Sequence, residues 1–75
     1  NLEIWIDAGG KLYLDGLPSE LTTIEDALGE VYRTAPGTRV HIIADRNTPF
    51  REVNAVIRLL QLLEYRVVSF VVKDG

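Results

Sequence analysis

The chain has no cysteine and a single histidine, His41. Without thiols there is no disulfide to staple a small fold, and one histidine leaves no metal-ligand spacing. The lack of cysteine fits an oxidising and a reducing compartment equally. No apolar run approaches the ~20 residues that cross a bilayer, and no signal-peptide pattern is present. Positive charge is also short: the formal net charge is −3 and the pI ≈ 4.9. No basic field therefore draws nucleic acid or anionic lipid, and no nucleic-acid partner is expected.

What is there is an ordinary globular composition, 47% hydrophobic, rather than the profile of a disordered chain. The 75 residues make one domain, 1–75. A core of this size supplies only about 3–5 kcal/mol of net stability, and with staples and metals set aside, oligomerisation is expected to contribute. The chain begins at Asn1 without a methionine and is expected to be a piece of a longer protein.

Leu2-Glu3-Ile4-Trp5-Ile6-Asp7 alternates apolar and polar residues, as a half-buried strand does. Gly9-Gly10 supplies a tight turn, and Leu12-Tyr13-Leu14-Asp15 resumes the alternation until Gly16 and Pro18 end it. Thr22-Thr23-Ile24-Glu25 has the spacing of a capping box. Ile24, Ala27, Leu28, Val31, Tyr32 and Ala35 then recur at helical spacing until Pro36-Gly37. Gly29 lies inside this helix at a cost of roughly 1 kcal/mol against alanine.

Arg39 to Asp45 reads as a third strand. Thr48-Pro49 reads as a helix start, a hydroxyl N-cap followed by proline at the first helical position. This second helix is expected to run to about Glu64 with Phe50, Val53, Val56, Ile57, Leu60 and Leu63 inward. Leu59 and Leu62 lie outside that arc and are expected to pack on the first helix. Val67 to Lys73, rich in β-branched residues, is the closing strand. The expected fold is α/β (α+β): a two-layer sandwich in the order β-β-α-β-α-β. It has a mixed four-stranded sheet, with parallel strands joined by right-handed crossovers and two helices on one face.

Period two then sorts the strand residues. Leu2, Ile4, Ile6, Leu12, Leu14, Val40, Ile42, Ala44, Val68, Phe70 and Val72 fall on the helix side. The opposite face is mostly polar but holds Trp5, Tyr13, His41, Ile43 and Val71, types that interfaces favour. Single apolar residues on a surface are ordinary, so the group signifies a partner only if the fold gathers it. The stretch Val67-Val68-Ser69-Phe70-Val71-Val72 has no proline and no charge. At a sheet border such a strand invites another to pair with it; inside the sheet it signifies nothing. Trp5, Tyr13, His41, Ile43, Val67, Ser69 and Val71 are accordingly the candidate partner-binding residues.

No catalytic arrangement stands out. Ser19 and Ser69 lie in a turn and a strand with no neighbouring base. His41 on a strand reads as a solvated or satisfied side chain, and Gly9-Gly10 lacks the following helix of a phosphate loop. Asp45, just before Thr48-Pro49, reads as an Asx-type turn or a cap at a strand–helix junction. Arg39, Arg46, Arg51, Arg58 and Arg66 are scattered over several elements. The reading is a binding domain without catalytic residues, cofactor or metal.

Three stretches carry a family resemblance. Ile6-Asp7-Ala8-Gly9-Gly10-Lys11-Leu12-Tyr13-Leu14-Asp15-Gly16 looks like the opening hairpin of the periplasmic domain of the ExbD/TolR biopolymer transport proteins. Pro36 to Asp45 looks like that family's P-x-x-x-V-x-I-x-A-D strand, and Thr48-Pro49-Phe50-Arg51-Glu52-Val53 like its aromatic-x-x-V helix start. The chain departs from the family where Glu64-Tyr65 stands in place of a helix-ending glycine, and where Arg58 replaces an often acidic residue. The resemblance implies a periplasmic domain anchored in the bacterial inner membrane by an upstream helix, which carries the protonatable aspartate. It implies a homodimer, an ExbB/TolQ-like channel subunit met through that helix, and proton-motive-force coupling to a TonB/TolA-like transducer. In TolR-like members of Tol-Pal systems it implies peptidoglycan contact.

Overall fold

The computed structural model describes residues 1–74, and its first sixth is shaped by the loop Asp7–Lys11. Strand β1 (Leu2–Ile6) turns there into β2 (Leu12–Leu14), with Ile6 beside Leu12 and Trp5 beside Tyr13. Asp7 Oδ1 accepts the backbone N–H groups of Gly9 and Lys11 at 3.0 and 2.9 Å, closing the loop from within. Gly10 takes φ +87°, and a Cβ there would lie 2.9 Å from Glu52 Cγ, so the loop and the second helix meet at a residue without a side chain.

The sheet has five strands, not the four that the sequence pattern predicts. Asp15 and Gly16 adopt φ 49° and 87° and form a two-residue turn into β3 (Leu17–Ser19), antiparallel to β2. Asp-Gly is the preferred pair for a hairpin turn with positive φ at both positions. Pro18 argues against a strand in the middle of a sheet, but β3 is a border strand, where a proline is tolerated.

Helix α1 (Leu21–Thr34) follows, then β4 (Val40–Asp45), α2 (Phe50–Leu62) and β5 (Val68–Lys73). The strand order is β3-β2-β1-β4-β5, with β4 parallel to both β1 and β5. Ile24 and Leu28 from α1 and Val53, Val56, Leu59 and Leu60 from α2 join Ile4, Ile6, Val40, Ile42 and Ala44 in one core. Both helices therefore cover the same sheet face, as their spacing predicts. Each such fully buried Ile, Leu or Val contributes about 1.5–3 kcal/mol relative to exposure.

Both predicted helix caps are replaced. α1 begins one residue before the Thr22–Glu25 box, with Glu20 at the cap position and no side-chain cap. The Thr48 hydroxyl does not cap α2. It lies 3.1 and 3.0 Å from the carbonyl oxygens of Ile6 and Asp7 and donates to that pair, tying the start of α2 to the end of β1. Asp45 performs its predicted turn role, its Oδ1 accepting Asn47 N–H at 2.8 Å. α2 ends at Leu62 rather than Glu64. Glu64 adopts φ 55°, with its N–H donating to Gln61 O and Tyr65 N–H to Leu60 O. This pair of bonds is the Schellman arrangement that a glycine usually closes.

Two side chains on α2 depart from the predicted arc, and a third, Leu62, lacks its predicted packing. Leu59 is in the core, whereas Phe50, placed inward by periodicity, is 74% exposed, and Leu62 is 83% exposed instead of packing on α1. Tyr65 is buried beyond the helix end, and its hydroxyl donates to Thr38 O.

Candidate partner-binding surface

The open face of the sheet gathers the residues singled out from the sequence. Tyr13, Trp5, Ile43 and Val71 stand side by side across β2, β1, β4 and β5, forming one continuous row. His41 and Ser69 are opposite each other in the next row, beside Glu3. Val67 lies at the approach to β5, its carbonyl accepting Val40 N–H at 2.9 Å. All are half-buried except Val71, which is exposed. The Lys73 ammonium rests over the Trp5 ring, 5.7 Å from its centroid, and shields part of the row.

Charge around the row is arranged by the hairpin. Tyr13 hydroxyl donates to Asp7 Oδ2 at 3.2 Å. The Lys11 N–H bond above all holds the Asp7 carboxyl below its ordinary range, with Tyr13 and Gly9 adding to the effect. Tyr13 itself is pushed up, first by desolvation and then by its bond to Asp7. Among the described residues no group of three or more His, Asp or Glu side chains is placed to hold a metal. Asp7 is committed to the loop, and His41 stands beside Glu3 and Ser69, whose hydroxyl is met by Arg39 Nη1 at 3.2 Å.

The second feature is a sheet border. β3 closes one side with three residues that include Pro18, a short and blunted edge. β5 closes the other with six residues and no proline. Val40 N–H donates to Val67 O at 2.9 Å and Arg46 N–H to Lys73 O at 2.8 Å. In a parallel ladder the residues bonded to one neighbour alternate. Val67, Ser69, Val71 and Lys73 thus turn their backbone groups to β4, and Val68, Phe70 and Val72 turn theirs outward. The side chains of Val68, Phe70 and Val72 pair with Val40, Ile42 and Ala44 on the helix side.

Period two in the sequence does not distinguish this outward trio; it groups Val67, Ser69 and Val71 by the face their side chains share. Alternation along the strand could have found the trio, but only with β5 known to be the last strand. Phe70 and Val72 are 45% and 57% exposed although they lie on the core face, because open depressions separate them from Phe50, Ile57 and Leu60 of α2.

No helix among the described residues is long and apolar enough to cross a membrane. The family model described as biopolymer transport protein ExbD/TolR matches residues 1–75. A comparison with curated proteins found no match.

Proposed function

The chain belongs to the ExbD/TolR family of biopolymer transport proteins, and from that premise we propose that it is the periplasmic domain of an inner-membrane energy-transducing subunit. In this reading an upstream membrane helix joins an ExbB/TolQ-like channel subunit and carries the proton-responsive chemistry. The domain receives a TonB/TolA-like transducer. It acts by binding rather than by catalysis, through strand addition at β5.

The observation that carries the reading is the outward backbone of Val68, Phe70 and Val72 on an unpaired six-residue strand. Main-chain groups supply affinity in this mode, and alternate side chains supply selectivity. The subunit is a homodimer in this reading, and the Trp5, Tyr13, Ile43 and Val71 row is the surface offered to the second copy. Resonance perturbation on adding extended transducer peptides tests the proposal. Shifts centred on β5 support it, and shifts confined to α1 and α2 contradict it.

A second reading, a peptidoglycan anchor, draws on the open face. Trp5 and Tyr13 flank Glu3 and Asp7 around a shallow depression of about 260 Å³. Aromatic rings beside carboxylates suit a polar ligand with apolar faces. Co-sedimentation with purified sacculi, abolished by Trp5→Ala, supports this reading; a domain that stays in the supernatant excludes it.

A further inference from the structure

Beside β5 the helix layer leaves an apolar trough open to solvent. Two depressions of about 310 and 240 Å³ adjoin there and share Ile57 and Phe70. Phe50 and Val72 line the first, and Leu60 and Val68 the second. The trough runs beneath the same border whose backbone groups are unpaired, on the side to which Val68, Phe70 and Val72 point. A strand added at β5 would place every second side chain over it, because side chains at one level of a sheet share a face.

The other face of the border has a different character. Arg39 Nη1 lies 3.2 Å from Ser69 Oγ, Lys73 follows on the same face, and exposed Arg46 flanks the end of the strand. The acids at the border itself are Asp45, whose Oδ1 accepts Asn47 N–H, and Asp74, 3.6 Å from Arg46; Glu3 and Asp15 lie further in, around the depression they share with Val71 and Lys73. On a chain of net charge −3, this border is locally cationic.

We infer that the trough and the cationic rim select an extended peptide in which apolar residues alternate with acidic ones. The apolar side chains enter the trough beside Phe50, Ile57 and Phe70, and the carboxylates meet Arg39, joined by Lys73 as its ammonium leaves the Trp5 ring. This inference rests on strand addition at β5 and adds the chemistry of the partner. It also disfavours β5 pairing with a second copy of itself. An antiparallel two-fold pairing would bring Arg39 of one copy towards Lys73 and Arg46 of the other, like charge on like charge.

The test uses this chain and three peptides of β5's length. One alternates leucine and glutamate, one alternates leucine and lysine, and one carries the first composition in two blocks. Binding is read from the amide resonances of Val68, Phe70 and Val72. The alternating acidic peptide is expected to bind about tenfold or more tightly than either other. Arg39→Glu with Lys73→Glu should reverse the preference between acidic and basic peptides. Phe50→Ala, at an exposed position that the fold tolerates, should weaken the acidic peptide severalfold.

Equal binding of all three peptides, with those amides shifted, overturns the inference and leaves strand addition standing. Binding of none, with those amides unmoved, removes strand addition and the inference together. Slowed exchange at the three amides on raising protein concentration alone identifies a second copy as the occupant and also overturns it.

Discussion

Ile42 and Phe70 stand opposite each other in the parallel ladder of β4 and β5, yet Ile42 is 1% exposed and Phe70 45%. The core ends between these two neighbours. One strand spacing, about 4.8 Å, separates a residue that holds the fold together from one that faces water.

That boundary predicts unequal responses to truncation. Ile42→Ala should lower the unfolding free energy by about 2–5 kcal/mol, enough to leave so small a domain largely unfolded. Phe70→Ala should cost roughly 1 kcal/mol, since much of its ring is already hydrated. Urea unfolding of the two variants measures the contrast, and equal losses would contradict it.

Glu64 holds the left-handed position that ends α2, at φ 55°. For an L-residue with a Cβ that conformation costs about 1–2 kcal/mol, and glycine is free of the penalty. Glu64→Gly should therefore raise stability by about 1 kcal/mol, visible as a higher urea midpoint. A lower midpoint would show that the Glu64 side chain contributes more than its backbone costs.

Tyr65 is buried, and its hydroxyl donates to Thr38 O. Tyr65→Phe should lose about 1 kcal/mol by leaving that carbonyl without its partner. Burial raises the Tyr65 pKa above its ordinary value of 10.0. Its contribution is whole below the unfolded value and is lost as pH rises through the raised folded value. The wild type and the Phe variant should converge in stability on that alkaline side, as denaturation across the range will show.

Asp7 supplies the opposite sign. Its folded pKa lies below the ordinary 3.8, chiefly through the Lys11 N–H. The loop's stabilisation is present above the ordinary carboxyl value and is lost as pH falls through the lowered one. Titration of the Asp7 carboxyl carbon by NMR should give a midpoint below that of a model aspartate. Asp7→Asn should remove this acid dependence from the hairpin amides of Gly9 and Lys11.

Much of this architecture was legible in the chain. Period two sorted the strand faces correctly, and the Trp5, Tyr13, Ile43 and Val71 row follows from that sorting once the strands align. β3 was not legible, because Pro18 argues locally against a strand and only its place at the border makes it acceptable. Thr48 looks like a helix cap by spacing, but its hydroxyl is drawn to the carbonyls of Ile6 and Asp7, far away along the chain. Phe50 lies on the apolar arc of α2 yet is exposed, lining an open depression with Phe70 and Val72 rather than the core. The order of the strands decides which backbone is free. It depends on where each crossover lands, and no local pattern records it.

Hydrogen exchange at Val68, Phe70 and Val72, with and without an extended transducer peptide, decides whether β5 accepts a second strand. In the free domain these three amides should exchange faster than those of Ser69 and Val71, which bond to β4, and bound peptide should slow the three selectively. Three amides already protected in the free monomer, or unchanged under saturating peptide, would show that β5 does not receive a strand.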